Sequence, residues 1–143
     1  MAEFSKKSKE NLSTAHEDLQ EIFNIVVKQR DCMILQGHRS SADQQKAFDE
    51  GRSKAPPGKS PHNSCPSYAV DAAPYPLPDW NSKDPKVQAA VLKEFRDFSI
   101  YVKGVAAGLG VELTWGGDFK SLYDGPHFEL TNWKAMKQKA NQK

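Results

Sequence analysis

The sequence predicts an α+β fold: a small, largely antiparallel sheet with helices packed against it. Three observations carry this. One long stretch, 85–109, repeats apolar residues at three/four spacing. Four short runs (CMILQ, YAVDAA, VELTW and PHFEL) are apolar or alternating and bounded by turn residues. The two kinds of segment interleave without the regular strand-helix-strand units of a parallel sheet.

The elements follow in order. Residues 1–11 are rich in Lys and Ser and are expected to be frayed. Thr14 with Glu17 fits a capping box, and Ala15, Leu19, Ile22, Phe23 and Val26 give a helix near 14–28. CMILQ, 32–36, reads as a buried strand. Ser41 with Gln44 fits a second capping box, opening a short helix that stops at Gly51. Residues 52–67 have no periodicity and four prolines, and a long loop of that kind is often functional. YAVDAA, 68–73, reads as a strand. Asp84 and Pro85 make an N-cap and first-turn pair for the long helix. Its apolar rhythm runs from Val87 to Leu109, and it ends at Gly108 and Gly110. VELTW, 111–115, and PHFEL, 126–130, read as strands. Trp133, Met136 and Ala140 share one face of a last, Lys-rich helix within 131–143.

At 143 residues the chain suits one domain, and no internal repeat divides it. Mean hydropathy is -0.71, yet seven Phe, four Tyr and three Trp supply bulk for a core. A net charge of +2 is too balanced to argue for nucleic acid. No run of 18 apolar residues reads as a transmembrane helix. The opening residues, MAEFSKKSKENLSTAHEDLQ, contain no apolar signal segment. Cys32 and Cys65 make no disulfide framework.

Chemistry concentrates in two segments. In SPHNSCPSYAVDAA, 60–73, Asp71 lies among Ala69, Val70, Ala72 and Ala73. A carboxylate there needs a cation, a metal or donors, unless it caps a turn before Pro74. In YDGPHFEL, 123–130, Asp124 occupies a turn and His127 opens a strand. Two histidines, His62 and His127, and one of the two carboxylates, with a fourth position for water, would make a catalytic zinc set. A second carboxylate near the metal but not ligating it would suit a general base. Other readings stay open. The spacing of His62 and Cys65 is that of zinc ligands, and Cys65 could be a nucleophile with His127 as its base. An incidental Cys65 is preferred, since no CxxC accompanies it. Cys32 is most simply a small buried hydrophobe. His16 reads as surface; His38, in QGHRS, reads as a cap or as the rim of a site.

Ser60-Pro61-His62, Ala69-Val70-Asp71 and Asp124-Gly125-Pro126-His127 together resemble the S-x-H…A-x-D…(D/E)-x-x-H pattern of the zinc D-alanyl-D-alanine carboxypeptidase and L-alanyl-D-glutamate endopeptidase family. QGHRS is similar to that family's strand-end Gly-x-Arg, and TWGGDF, 114–119, to its Trp-Gly-Gly-Asp segment. The likeness spans about residues 30–130, in the family's order. The length and the Asp-x-x-His form look most like its phage endolysin branch. One departure is the spacer: eight residues without glycine separate His62 from Asp71, where the shorter family pattern has six and a glycine.

The resemblance implies a hedgehog-like metallopeptidase fold and hydrolysis of bacterial peptidoglycan stem peptides. His62, Asp71 and His127 would bind Zn2+, Asp124 would be the base, and Arg39 would face the scissile carbonyl. Ser60, Gln36, Tyr68 and Trp115 are candidate substrate contacts, though the two aromatics read equally well as core. The bond would be L-Ala–D-Glu; D-Ala–D-Ala carboxypeptidase activity and a non-catalytic wall-binding module are the alternatives. The resemblance also implies a monomer made in the host cytoplasm, reaching the periplasmic wall once a holin has permeabilised the membrane.

Overall fold

A computed structural model describes residues 2–120 and 122–141. Four strands form one antiparallel sheet: β1 (Cys32–Gln36), β2 (Ala69–Pro74), β3 (Leu113–Trp115) and β4 (His127–Leu130), in the order β1-β2-β4-β3. Among the described residues five α-helices accompany it: α1 (Lys6–Ser13), α2 (Glu17–Gln29), α3 (Ser41–Asp49), α4 (Pro85–Gly108) and α5 (Trp133–Asn141). This is the α+β architecture expected from the sequence. Among the described residues no helix is long and apolar enough to cross a membrane.

The core lies on one face of the sheet. Leu19, Ile22, Phe23 and Val26 of α2 and Val91, Phe95, Phe98 and Val102 of α4 are buried against it. Phe128 of β4 meets Phe23 and Phe98 edge-on, with ring centroids 5.6 and 6.0 Å away. Side chains alternate along a strand. With Phe128 and Leu130 turned to the helices, His127 and Glu129 must face the other way. The register decides what they meet: Asp71 of β2 stands opposite His127 on one side and Gln36 on the other.

Three local expectations need correction. Residues 6–13 are helical rather than frayed. Ser8 Oγ accepts from Ile34 N at 3.1 Å and Asn11 Nδ2 donates to Ile34 O at 2.8 Å. Helix α1 thereby satisfies the free backbone groups of the edge strand β1, while Phe4 and Leu12 enter the core. The sequence hides this helix because part of its buried face is polar. Thr14 is not the N-cap of the next helix. Its hydroxyl donates to Asn11 O, closing α1, and accepts from His38 N; the His16 ring caps α2 instead. The third correction concerns α3, where Ser40 is the cap and Gln44 is fully buried rather than part of a capping box.

The long helix begins as expected, with Asp84 accepting from Lys86 N at 2.9 Å and Pro85 in its first turn. It is released at Gly110, whose φ of 75° is open to glycine at little cost.

Candidate metal centre

His62 comes from the Pro-rich loop, which is ordered by hydrogen bonds rather than by repeats. Residues Pro61–Asn63 form one short 3-10 turn. Ser60 Oγ accepts from His62 N, and Asn63 Oδ1 accepts from Gly58 N and Ser60 N. Asn63 Nδ2 donates to Arg39 O, and Arg39 N donates to His62 O at 2.7 Å. The His62 ring is 1% exposed, and its Nδ1 lies 2.7 Å from Gly37 O. A carbonyl only accepts, so Nδ1 carries the proton and Nε2 points inward with a free lone pair.

Asp71 and His127 come from the sheet. Trp115 Nε1 donates to Gly125 O at 2.6 Å, and Asp124 N donates to Gly116 O at 3.1 Å, pinning the Asp-Gly-Pro turn to the end of β3. A Cβ on Gly116 would collide with Asp124 O and crowd His127 Cβ, so this close approach requires glycine there.

Three atoms converge. His62 Nε2 lies 3.2 Å from His127 Nδ1 and 3.3 Å from Asp71 Oδ1, and the remaining side of the triangle is 3.4 Å. Ligands about 2.0–2.1 Å from one tetrahedral zinc ion stand about 3.3–3.4 Å apart, so the triangle has the size of one face of such a site. Asp71 Oδ1 is buried and makes no hydrogen bond of acceptable geometry. An orphaned anionic oxygen facing two imidazole nitrogens is a donor set for a cation, and the three residues could hold a metal ion. Eight residues without glycine therefore suffice to bring His62 and Asp71 together, and none of them needs positive φ.

The electrostatics are divided. Burial works to raise the Asp71 carboxyl, but the two imidazole rings beside it, His62 foremost, outweigh it and hold it well below the usual range. Burial disfavours the His127 cation, yet the Asp71 carboxylate beside it and the hydrogen bond to Glu129 push the ring up to about 10 in the metal-free chain. Asp124 goes the other way. Burial, then the nearby Asp71 charge, raises its carboxyl. Two carboxylates pushed apart in this way suit different tasks, one anionic partner and one proton carrier.

The sequence-predicted residues fare unequally. His62, His127, Asp124, Arg39 and Ser60 line one cleft of about 200 Å3. Ser60 acts there through its cap on His62 N. Arg39 Nη2 lies 3.6 Å from Asp71 Oδ2, its Nη1 donates to Gln44 Oε1 and its Nε to Gln36 Oε1. Gln36 thus spends its carbonyl on bracing Arg39. Tyr68 and Trp115 do not wall the cleft: they are 8% and 6% exposed and belong to the core. Cys65 is exposed and outside the triangle. His38 is exposed, and its Nδ1 meets Ser64 O. His16 is half-buried, 6.0 Å from the Tyr68 ring, and not plain surface.

The sequence reading missed Glu129, Gln44, Phe119, Arg52 and Lys54. Glu129 Oε1 is 2.7 Å from His127 Nε2. Its signal was present, since positions i and i+2 share a strand face. Gln44, fully buried, also donates to Ser53 Oγ and Ala55 O, holding α3 to the loop. Phe119, Arg52 and Lys54 complete the cleft wall, and nothing in their spacing marks them.

The chain resembles proteins of known structure. It is 26% identical to the L-Ala D-Glu endopeptidase ChiX of Serratia marcescens, with 94% of each chain covered and a TM-score of 0.71. A vancomycin-resistance D,D-dipeptidase, VanXYg, in complex with a D-Ala-D-Ala phosphinate analogue, is a distant likeness. Identity is 15%, coverage 86% of this chain and 52% of that one, and the TM-score 0.40. A family described as phage L-alanyl-D-glutamate peptidase matches residues 1–131, well over half the sequence. With a His-Asp-His triangle and an adjoining carboxyl inside that span, the protein belongs to the phage L-alanyl-D-glutamate peptidase family, whose peptidase activity is directed at peptidoglycan.

Proposed function

We propose that this protein is a zinc-dependent endolysin that hydrolyses the L-Ala–D-Glu bond of peptidoglycan stem peptides. The observation that carries the reading is the triangle of His62 Nε2, Asp71 Oδ1 and His127 Nδ1, with its orphaned carboxylate oxygen, beside a cleft that His62, His127 and Asp124 line. These three residues would hold zinc. A bound zinc ion supplies Lewis acidity, which makes water a nucleophile near neutral pH and polarises a carbonyl.

The protein's own groups do the rest. Asp124 takes the proton of the attacking water and passes it to the leaving amine. Its raised carboxyl pKa brings it closer to the working pH of such a carrier. Arg39, held by Gln36 and Gln44, keeps its guanidinium beside Asp71 at the cleft edge, where it donates to the oxygen that gains charge. Arg52 and Lys54 make the same wall cationic, which suits a substrate carrying glutamate carboxylates. The protein acts as a monomer on the wall, reached from the host cytoplasm after a holin opens the membrane.

Asp124→Ala should retain zinc by elemental analysis and lose about 100- to 10,000-fold in hydrolysis of purified peptidoglycan. Wild-type turnover by that variant would remove Asp124 from the mechanism. Mass spectrometry of the released fragments tests the bond: a new N-terminal D-Glu supports the assignment, and release of free D-Ala refutes it.

A further inference from the structure

Helix α5 lies beyond the family match, which ends at residue 131, and neither the fold's core nor the reaction accounts for all its contacts. Trp133, in its first turn, is 8% exposed, and its Nε1 donates to Glu129 Oε2 at 3.0 Å. The other oxygen of the same carboxylate is 2.7 Å from His127 Nε2. Both oxygens of Glu129 are therefore engaged, one by the helix and one by the proposed ligand. Farther along, Lys137 Nζ donates to Gly58 O at 2.8 Å, tying α5 to the loop that leads into His62.

The geometry points to a relay in which Trp133 fixes Glu129 and Glu129 fixes His127, so that the C-terminal helix is a positioning element for the metal site. The argument is one of orientation. An imidazole has two nitrogens, and only one can face the metal. With Nε2–H donated to Glu129, Nδ1 is the atom left facing Asp71 and His62. A carboxylate on a strand can swing about its own side-chain torsions, and a second donor on its far oxygen removes that freedom. Trp133 supplies that donor from a buried ring that cannot easily move. His62 needs no such device, because a backbone carbonyl orients it.

This inference rests on the zinc reading above, and its test separates the two. Zinc affinity is measured on the full-length protein by competition with a chromogenic chelator, and the visible spectrum of the cobalt-loaded protein reports ligand geometry. Glu129→Ala should weaken zinc binding about 10- to 100-fold and alter the cobalt bands. Glu129→Gln keeps an oxygen for His127 but cannot accept from Trp133 as well, so it should recover part of the loss. Trp133→Phe keeps the buried ring and removes only the N–H, so it should fold, and should weaken zinc about three- to tenfold. In the Glu129→Ala background it should add nothing, since Trp133 acts only through Glu129. Unchanged affinity and unchanged cobalt bands in a folded Trp133→Phe protein overturn the relay, as does full additivity of the two substitutions. If Glu129→Ala does not fold, Trp133→Phe and Glu129→Gln decide alone. If the wild type itself binds no zinc, the metal reading fails, and the relay fails with it; if the wild type binds and the variants match it, only the relay fails.

Discussion

The two histidines of the triangle reach the same point by opposite means. His62 stands in a loop of prolines and serines, where its ring is oriented by a main-chain carbonyl, Gly37 O, and its backbone by Ser60 and Arg39. His127 stands in a regular strand, where register sets its position but a side chain, Glu129, sets its ring. A carbonyl cannot be deleted by substitution, whereas a carboxylate can. The loop histidine is therefore vulnerable through backbone packing and the strand histidine through chemistry. Regular structure fixes where a residue is; it does not by itself fix which nitrogen faces the metal.

Removing either ring is the largest perturbation. His62→Ala and His127→Ala should each lose stoichiometric zinc by elemental analysis and show no measurable hydrolysis of peptidoglycan. If either variant kept full zinc and activity, that histidine would not be a ligand and the comparison would collapse.

A smaller effect reaches His62 from behind. A Cβ on Gly37 would clash with Asn11 O and Thr14 Oγ1, the C-terminal end of α1. Gly37→Ala should destabilise the protein by about 1–3 kcal/mol, the usual cost of overpacking, and weaken zinc by displacing the carbonyl that orients His62. Thermal unfolding together with chelator competition reads both. An unperturbed melting temperature would show that α1 does not buttress the loop.

Protonation sharpens the contrast, because the His127 ring is pushed well up, to about 10. A raised folded pKa means that the protonated ring stabilises the metal-free fold fully below its ordinary value of about 6.5, and that this contribution is lost as pH rises through about 10. The metal-free protein should therefore lose stability across that window, and His127→Gln should flatten the loss. Zinc must displace the Nδ1 proton, so apparent zinc affinity should climb over the same range. Denaturant melts and zinc titrations at several pH values check both.

The smallest effect concerns the thiols. Cys65 is exposed in the same loop as His62 but outside the triangle, so Cys65→Ser should leave hydrolysis within about twofold of wild type, as is usual for surface substitutions. A large loss would revive the cysteine chemistry that the spacing of His62 and Cys65 allows. In the folded protein a thiol reagent should modify Cys65 alone, because burial, with some help from Asp31, pushes Cys32 up to about 12. Mass spectrometry counts the adducts.

Much of the fold was legible because apolar periodicity is a local property. Helix α4 announced itself by spacing and by the Asp84-Pro85 start, and each of the four strands by short apolar runs. Helix α1 was not legible, since Ser8 and Asn11 face a strand edge and look like surface. Capping was misassigned twice for a related reason. Thr14 and Gln44 fit a local motif, but their side chains bond groups outside it.

The sequence by itself determined which residue types meet: two histidines, a carboxylate among alanines, and an aspartate turn at family spacing. It determined the layer order as well, because alternation and three/four periodicity arise from backbone geometry alone. The tertiary structure decided how those residues are aimed. The antiparallel register sets Asp71 against His127, Gly116 lets the Asp124 turn close down, and Glu129 and Gly37 O choose the inward nitrogen of each ring. It also withdrew Tyr68 and Trp115 from the cleft into the core. Aim depends on partners distant in sequence, and one chain carries no local record of which distant groups will be hydrogen-bonded once water is excluded.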